Sequence, residues 1–172
     1  MDLESLRLPE NEAVLAHLGV ERVASPDTNT AWVIDGYSLS THPELCDRVK
    51  EVNEAAGEPA TFRYLYGKPA LIATNGVIVA FGGGTYVFCV RLPRAEVDPR
   101  LVGERKEKLS EHPLLREKQL ELEALVEGAW TRVDPWTVEV PKDEGLEQLA
   151  AHLQHAVKNA SDGRPPQAAG ES

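Results

Sequence analysis

Between residues 60 and 92 the chain contains four short extended segments in series, and this pattern constrains the fold more than any other feature. The segments are Ala60–Tyr66, Ala70–Thr74, Val77–Phe81 and Thr85–Leu92. Their side chains alternate with the period of two that is typical of β-strands, and glycine, proline and asparagine stand between them. The pattern predicts an antiparallel meander. Val77–Phe81 is apolar on both faces, so we expect it at the centre of the sheet.

The connections between these segments predict hairpins. Asn75-Gly76 is the strongest short-range hairpin signal, and we expect a type I′ turn there. Gly82-Gly83-Gly84 follows an apolar strand, as phosphate-binding loops do. A phosphate loop needs a helix N-terminus after its glycines, whereas a strand pattern follows here. We therefore interpret the three glycines as a flexible hairpin turn.

Amphipathic helices precede and follow the predicted sheet. The first is expected over Pro9–Gly19, and the second begins at the capping pair Thr41 and Glu44. A charged helical stretch covers Glu104–Glu127. A last helix starts near Asp143 and has a continuous apolar face. These helices and the meander predict an α+β fold, in which an antiparallel sheet of at least four strands is packed by amphipathic helices.

Three further extended segments are predicted, a short strand at Thr30–Ile34 and a pair at Trp130–Val133 and Trp136–Val140. In the last of these, apolar residues alternate with Thr137 and Glu139. We expect one α+β domain over residues 1–160. Within it, an acidic N-terminal extension with two helices (residues 1–59) packs on the sheet domain (residues 60–160). Residues 161–172 are rich in Pro, Gly and Ser and predict a disordered tail.

The charge distribution argues against a nucleic-acid partner. The net charge is −10, and the first 60 residues hold twelve acids and four bases, a net charge of −8. Such a surface repels phosphate backbones, so we expect no strong nucleic-acid binding. The longest apolar run, Val77–Phe81, is too short to span a membrane, and the opening residues lack the features of a secretory signal. We expect a cytoplasmic protein whose two cysteines, Cys46 and Cys89, are reduced core residues.

Residues with the potential for chemistry are present, but no catalytic, cofactor or metal motif is formed. His152 and His155 lie three apart on the last predicted helix, a spacing that suits a metal ligand pair. Neither lies on the apolar face, and no acid or cysteine partner is identifiable, so we expect solvated histidines. No nucleophile motif is found, and we expect neither a catalytic residue nor a cofactor.

The candidate binding site is a set of aromatic and basic residues on the predicted strands. Its members are Tyr64, Tyr66, Lys68, Arg91, Trp130 and Arg132. Aromatic rings beside basic side chains can stack on a planar group or clamp an anionic ligand. The alternative is that the rings belong to the core and the charges to its fringe. Within the set we favour a core position for Tyr64 and a position at the rim for Tyr66.

Several short motifs resemble the TfoX N-terminal and YjbR (MmcQ) group of small α+β domains. They are Tyr-Gly-Lys-Pro-Ala (Tyr66–Ala70) before the Asn-Gly hairpin, Arg-Leu-Pro (Arg91–Pro93), and Gly-Ala-Trp-Thr-Arg-Val-Asp (Gly128–Asp134) before the last helix. The similarity covers about residues 60–159. It implies a compact sheet-and-helix domain, and some members are linked to competence regulation or proposed to bind DNA.

We therefore expect a non-enzymatic binding or regulatory module of this type that recognises a protein or a small ligand. Two alternatives stay open. One is a small enzyme whose site is assembled from scattered residues, and the other is weak nucleic-acid binding. The residues leave the oligomeric state undetermined.

Overall fold

The structure is a computed structural model, and it describes residues 6–18, 33–34, 37–38, 43–65, 68–83, 87–103, 113–126 and 128–161. The helices in these ranges are α1 (Glu12–Leu18), α2 (Pro43–Ala55), α3 (Pro113–Leu125) and α4 (Lys142–Ser161). The strands are β1 (Val33–Ile34), β2 (Tyr37–Ser38), β3 (Thr61–Leu65), β4 (Lys68–Ile72), β5 (Ile78–Gly83), β6 (Val87–Val90) and β7 (Thr131–Val133).

The main sheet has five antiparallel strands in the order β3-β4-β5-β6-β7, so neighbours in space are neighbours in sequence. β1 and β2 pair with each other in a separate two-stranded sheet. The predicted α+β class and the antiparallel meander are confirmed. In the part of the chain that the structure describes, no helix is long and apolar enough to cross a membrane.

The central strand β5 is buried at all six of its positions, as predicted. Apolar clusters lie on both faces of the sheet. One is formed with α2 and α4 and includes Leu45, Val49, Leu71, Phe88, Leu149 and Leu153. The other is formed with α1 and α3 and includes Val14, Leu18, Phe81, Cys89, Leu122 and Trp130. Helices that cover both faces explain why this strand carries no polar side chain.

The predicted hairpin between β4 and β5 is present, but the predicted type I′ turn is wrong. The Gly76 N–H donates to the Ala73 carbonyl at 2.9 Å, so Thr74 and Asn75 are the central residues of the turn. Neither of them has a positive φ, whereas Gly76 has a φ of +92°. This is a three-residue loop, a type I turn followed by one residue in the left-handed region.

Gly76→Val is expected to lower the free energy of unfolding by about 1 kcal/mol or more. A β-branched side chain is strained at a φ of +92°, a conformation that glycine adopts readily. Chemical denaturation of the purified protein measures the loss. Thr74→Val, at an exposed position of the same turn, is the control and should have little effect. Equal stability of the Gly76 variant and the parent protein would contradict the turn geometry.

The prediction for the glycine run after β5 is partly wrong. Gly82 and Gly83 do not turn, because they continue β5 and pair with Phe88 and Val87 of β6. A Cβ at Gly82 would lie 3.3 Å from Pro69 Cγ and 3.3 Å from the Val87 carbonyl oxygen, so a side chain here would require these neighbours to shift. Gly82 therefore permits close strand packing. Residues 84–86 lie outside the described residues.

Two asparagines attach the β4–β5 hairpin to both ends of the described chain. Asn11 is fully buried, and its Nδ2 donates to the carbonyl oxygens of Leu6 at 2.8 Å and Gly76 at 2.9 Å. Its Oδ1 accepts the Ile78 N–H at 2.8 Å. On the other side, Asn75 Nδ2 donates to the Ala160 carbonyl at 2.8 Å, near the end of α4.

Some sequence predictions fall outside the described residues. These include Gly19 at the end of the first predicted helix, residues 30–32 of the first predicted strand, the cap residue Thr41, Tyr66, the first part of the charged stretch (residues 104–112) and residues 162–172 of the predicted tail. α4 extends through Ser161, the first residue of that tail.

Candidate functional site

The predicted aromatic and basic set is divided between the two faces of the sheet. Tyr64 is on the α2 side, where its ring meets Phe62 edge-on with centroids 5.2 Å apart. A hydrogen bond joins its hydroxyl to the Cys46 side chain of α2, and burial raises the pKa of both groups. Tyr64 is half-buried, and Tyr66 lies outside the described residues.

The other members lie on the α1 and α3 side. Lys68 pairs with Leu65 in the register between β3 and β4, and Leu65 belongs to the cluster on that side. Trp130 is 3% exposed, and its ring centroid is 5.1 Å from that of Phe81. Arg132, opposite Cys89, is also buried. Trp130 is therefore a core residue here, and the ligand-binding role of the set stays a prediction.

Both cysteines are free and buried, as predicted. Burial raises the pKa of the Cys89 thiol to about 12, and the neighbouring Arg132 charge only partly opposes the shift. Neither thiol is an activated nucleophile, because each pKa is raised above the ordinary value.

The prediction of two solvated histidines on α4 is right for the exposed His155 and wrong for His152. His152 is half-buried, and its Nε2 accepts the Asp98 N–H at 3.1 Å. His155 Nε2 lies 3.2 Å from a Glu96 carboxylate oxygen. The 3₁₀ turns after β6 bring these acidic residues against α4, a long-range contact that helical spacing does not reveal. No three His, Cys, Asp or Glu side chains converge on a metal site within the described ranges.

An open cleft of about 730 Å³ lies where α2 meets the segment after β7 and the start of α4. Its walls are Arg48 and Glu51 of α2, residues 136–138 and Val140 of the segment after β7, and Leu146 and Glu147 of α4. None of these residues belongs to the predicted site.

The segment after β7 is a compact turn, so the predicted strand at Trp136–Val140 is wrong. The two Asp134 carboxylate oxygens accept the N–H groups of Trp136 and Val138, each at 2.9 Å. The Asp134 carbonyl accepts the Thr137 N–H at 3.3 Å. A short acidic side chain thus takes the backbone donors that a strand partner would have used.

Thr137 has a φ of +50°, and it is 3% exposed. A β-branched residue is rare in the left-handed region, so the surrounding structure must hold it there. α4 presents Gly145 to it, and a Cβ at Gly145 would overlap the Thr137 side chain. The turn and the helix therefore fit together only because position 145 has no side chain.

Arg48 fixes the turn from the α2 side. Its Nε donates to the Pro135 carbonyl at 2.7 Å, and one terminal nitrogen donates to Glu51 Oε1 at 2.9 Å. The other lies 3.5 Å from Thr137 Oγ1. The Arg48 side chain is 13% exposed, whereas that of Glu51 is 52% exposed. Arg48 compensates the charge of Glu51, so the lining has one acidic charge in excess, that of the exposed Glu147.

The cleft presents apolar and acidic side chains to solvent. Val138 at its edge is 70% exposed, and Trp136 is half-buried against the core. The lining groups that could transfer a proton or act as a nucleophile are the Glu51 and Glu147 carboxylates and the buried Thr137 hydroxyl. Exposed apolar side chains beside carboxylates suit an apolar group that has a positive charge next to it.

Comparisons with protein-family models, with curated proteins and with solved structures found no match.

Proposed function

We propose that this chain is a non-enzymatic binding module that recognises a segment of a partner protein at the cleft between α2, α4 and the turn after β7. The observation that supports this proposal most is Val138, a large apolar side chain 70% exposed at the edge of the cleft. A relationship to TfoX and YjbR domains and a cytoplasmic location belong to the same proposal. Two reduced cysteines suit that compartment.

A protein segment suits the cleft because the turn is already ordered. Asp134 holds two N–H groups of the turn, and Arg48 holds the Pro135 carbonyl. A surface that is fixed before binding loses little conformational entropy when it binds. The apolar surface of Val138 is in contact with water in the free protein, which is unfavourable in free energy. A partner that covers Val138 removes this unfavourable contact.

The partner segment that fits presents a bulky apolar side chain with Lys or Arg beside it. The apolar group would lie against Trp136 and Val138, and the basic group would face Glu147. Arg48 offers little competing positive charge, because its guanidinium is mostly buried and donates to Glu51 and Pro135. The acidic net charge of −10 favours encounter with a basic partner.

Selection of short random peptides displayed on phage tests the proposal, with Val138→Asp as the counter-selection target. We expect enriched peptides to combine Leu, Phe or Trp with Lys or Arg. Val138→Asp should weaken their binding at least about tenfold, or about 1.4 kcal/mol, since it places a charge in the apolar contact. Leu120→Asp is the matched control, because Leu120 is 46% exposed on α3 and does not line the cleft.

Three outcomes would count against the proposal. Peptides could bind the parent protein and Val138→Asp equally, or Leu120→Asp could abolish binding instead. The third outcome is that no peptide is enriched, while a small molecule binds the parent protein and does not bind Val138→Asp. The assignment would then change from a protein partner to a small ligand.

A further inference from the structure

A second feature, separate from the cleft, is a buried arginine without a full set of partners. Arg91 is 5% exposed, and within the part of the chain that the structure describes its Nε–H has no acceptor. A guanidinium cannot lose its charge in a protein, so burial without a partner is costly. Burial lowers the pKa of Arg91, and the charge of the exposed Glu10 opposes this only in part.

The position of Arg91 at the end of β6 decides which way its side chain points. Val90 and Leu92, the residues on either side, both belong to the apolar cluster formed with α2 and α4. Arg91 therefore points to the opposite face, in agreement with its electrostatic interaction with Glu10, which lies just before α1.

Arg132 lies on the same face. It is 8% exposed and pairs with Cys89, a member of the cluster formed with α1 and α3. The last pair of the β6–β7 ladder is Val90 with Thr131, so Arg91 and Arg132 are diagonal neighbours. Diagonal neighbours on one face are about 7–8 Å apart, a distance that two arginine side chains can bridge through one bound group.

We propose that Arg91 and Arg132 together bind an oxyanion, a carboxylate or phosphate group of a small ligand. Guanidinium groups match this chemistry because their N–H donors lie in one plane and can engage two oxygens at once. The bound anion would supply the acceptor that Arg91 Nε lacks. Glu10 contributes its charge, but it does not accept the Arg91 Nε–H.

Thermal unfolding with added anions tests the proposal. The probes are inorganic phosphate, sulfate and succinate, each compared with sodium chloride at the same ionic strength. For the parent protein, an anion at ten times its Kd should raise the melting temperature by about 3–6 °C. Phosphate and sulfate also stabilise proteins by exclusion from their surface, so only the part of a shift that is lost in Arg91→Met counts as binding. Such a shift with phosphate and sulfate alone would identify a phosphate-type ligand, and with succinate alone a carboxylate.

Arg91→Met keeps an unbranched apolar stem and removes the guanidinium charge, and it should abolish this shift. In buffer without these anions it should melt no lower than the parent protein, because it removes a buried guanidinium whose Nε–H has no acceptor among the described residues. Arg94→Met is the matched control, since Arg94 is exposed three residues further on, and it should keep the full shift. Arg132→Met should reduce the shift as well, and it provides a second test if Arg91→Met does not fold.

The proposal is overturned if no anion raises the melting temperature of the parent protein, or if both Arg91→Met and Arg132→Met keep the shift. It is also overturned if Arg91→Met melts several degrees lower than the parent protein without added anions, and added anions do not change the melting temperature of the parent protein. The chain itself, or an internal water, would then satisfy the guanidinium. All of these readouts are independent of Val138, so the anion site and the cleft can fail separately.

Discussion

Asn11→Ala is expected to lower the free energy of unfolding by about 3–5 kcal/mol. The Asn11 side chain is fully buried and makes three hydrogen bonds, to the backbone of Leu6, Gly76 and Ile78. Alanine leaves the Gly76 carbonyl and the Ile78 N–H without this partner, and the Leu6 carbonyl keeps only the Leu8 N–H. Each buried group without a partner costs about 1–3 kcal/mol, and the small cavity adds to the loss. Urea denaturation measures the loss.

Two further variants separate this hydrogen bonding from packing. Asn11→Asp has nearly the same shape and still accepts the Ile78 N–H, but it no longer donates to the Leu6 and Gly76 carbonyls. It should therefore be destabilised near neutral pH as well. Glu12→Ala is the control at an exposed position of α1 and should change stability by less than about 0.5 kcal/mol. A loss below about 1 kcal/mol for Asn11→Ala would show that the three hydrogen bonds contribute little.

Gly145→Ala is the second substitution with a large expected effect, a loss of about 2–3 kcal/mol. In most helices this change stabilises, by up to about 1 kcal/mol, so the expected sign is reversed. The reason is the overlap of the new Cβ with Thr137, which is buried and has a short side chain that cannot move aside. Gly128→Ala is the matched control, because its nearest contact is the Leu125 carbonyl oxygen at 3.7 Å.

A double-mutant cycle with Thr137→Gly identifies the cause. Glycine at position 137 removes the side chain that a Cβ at position 145 would meet, and it tolerates the φ of +50°. Gly145→Ala should therefore cost much less in the Thr137→Gly background, with a coupling energy above about 1 kcal/mol. Additive losses in the cycle would mean that the helix and the turn do not touch as described.

The elements that sequence reasoning anticipated are those with a repeating local signal. α2 carries Leu45, Val49 and Val52 on one face, and each is fully buried. The meander was predictable because strand alternation and turn residues recur at short intervals between residues 60 and 92. The turn after β7 was missed because Trp136, Val138 and Val140 alternate with Thr137 and Glu139 as strand residues do. The hydrogen bonds to the Asp134 carboxylate decide the conformation, and they leave no trace in hydrophobic periodicity.

The cleft was missed for a different reason. Arg48 has the sequence pattern of an ordinary solvent-facing helix residue, yet it contacts Pro135 and Thr137, more than eighty positions away. Alternation also assigns faces within one strand, but it does not say which faces of separate strands coincide. Tyr64 and Trp130 were therefore grouped in one site although the sheet lies between them. One available signal was Gly145. A glycine inside a predicted helix often marks a place where another element packs closely against the helix.

The order of the strands has a consequence for how this chain folds. Each pairing from β3 to β6 joins segments that are adjacent in sequence, so these pairings close short loops and lose little chain entropy. The pairing of β6 with β7 must instead enclose residues 91–130, which include α3. Local contacts form faster than distant ones, so we expect the meander to assemble first. The last strand would then pair together with the formation of the Asp134 turn, and the cleft would be one of the final parts of the molecule to form.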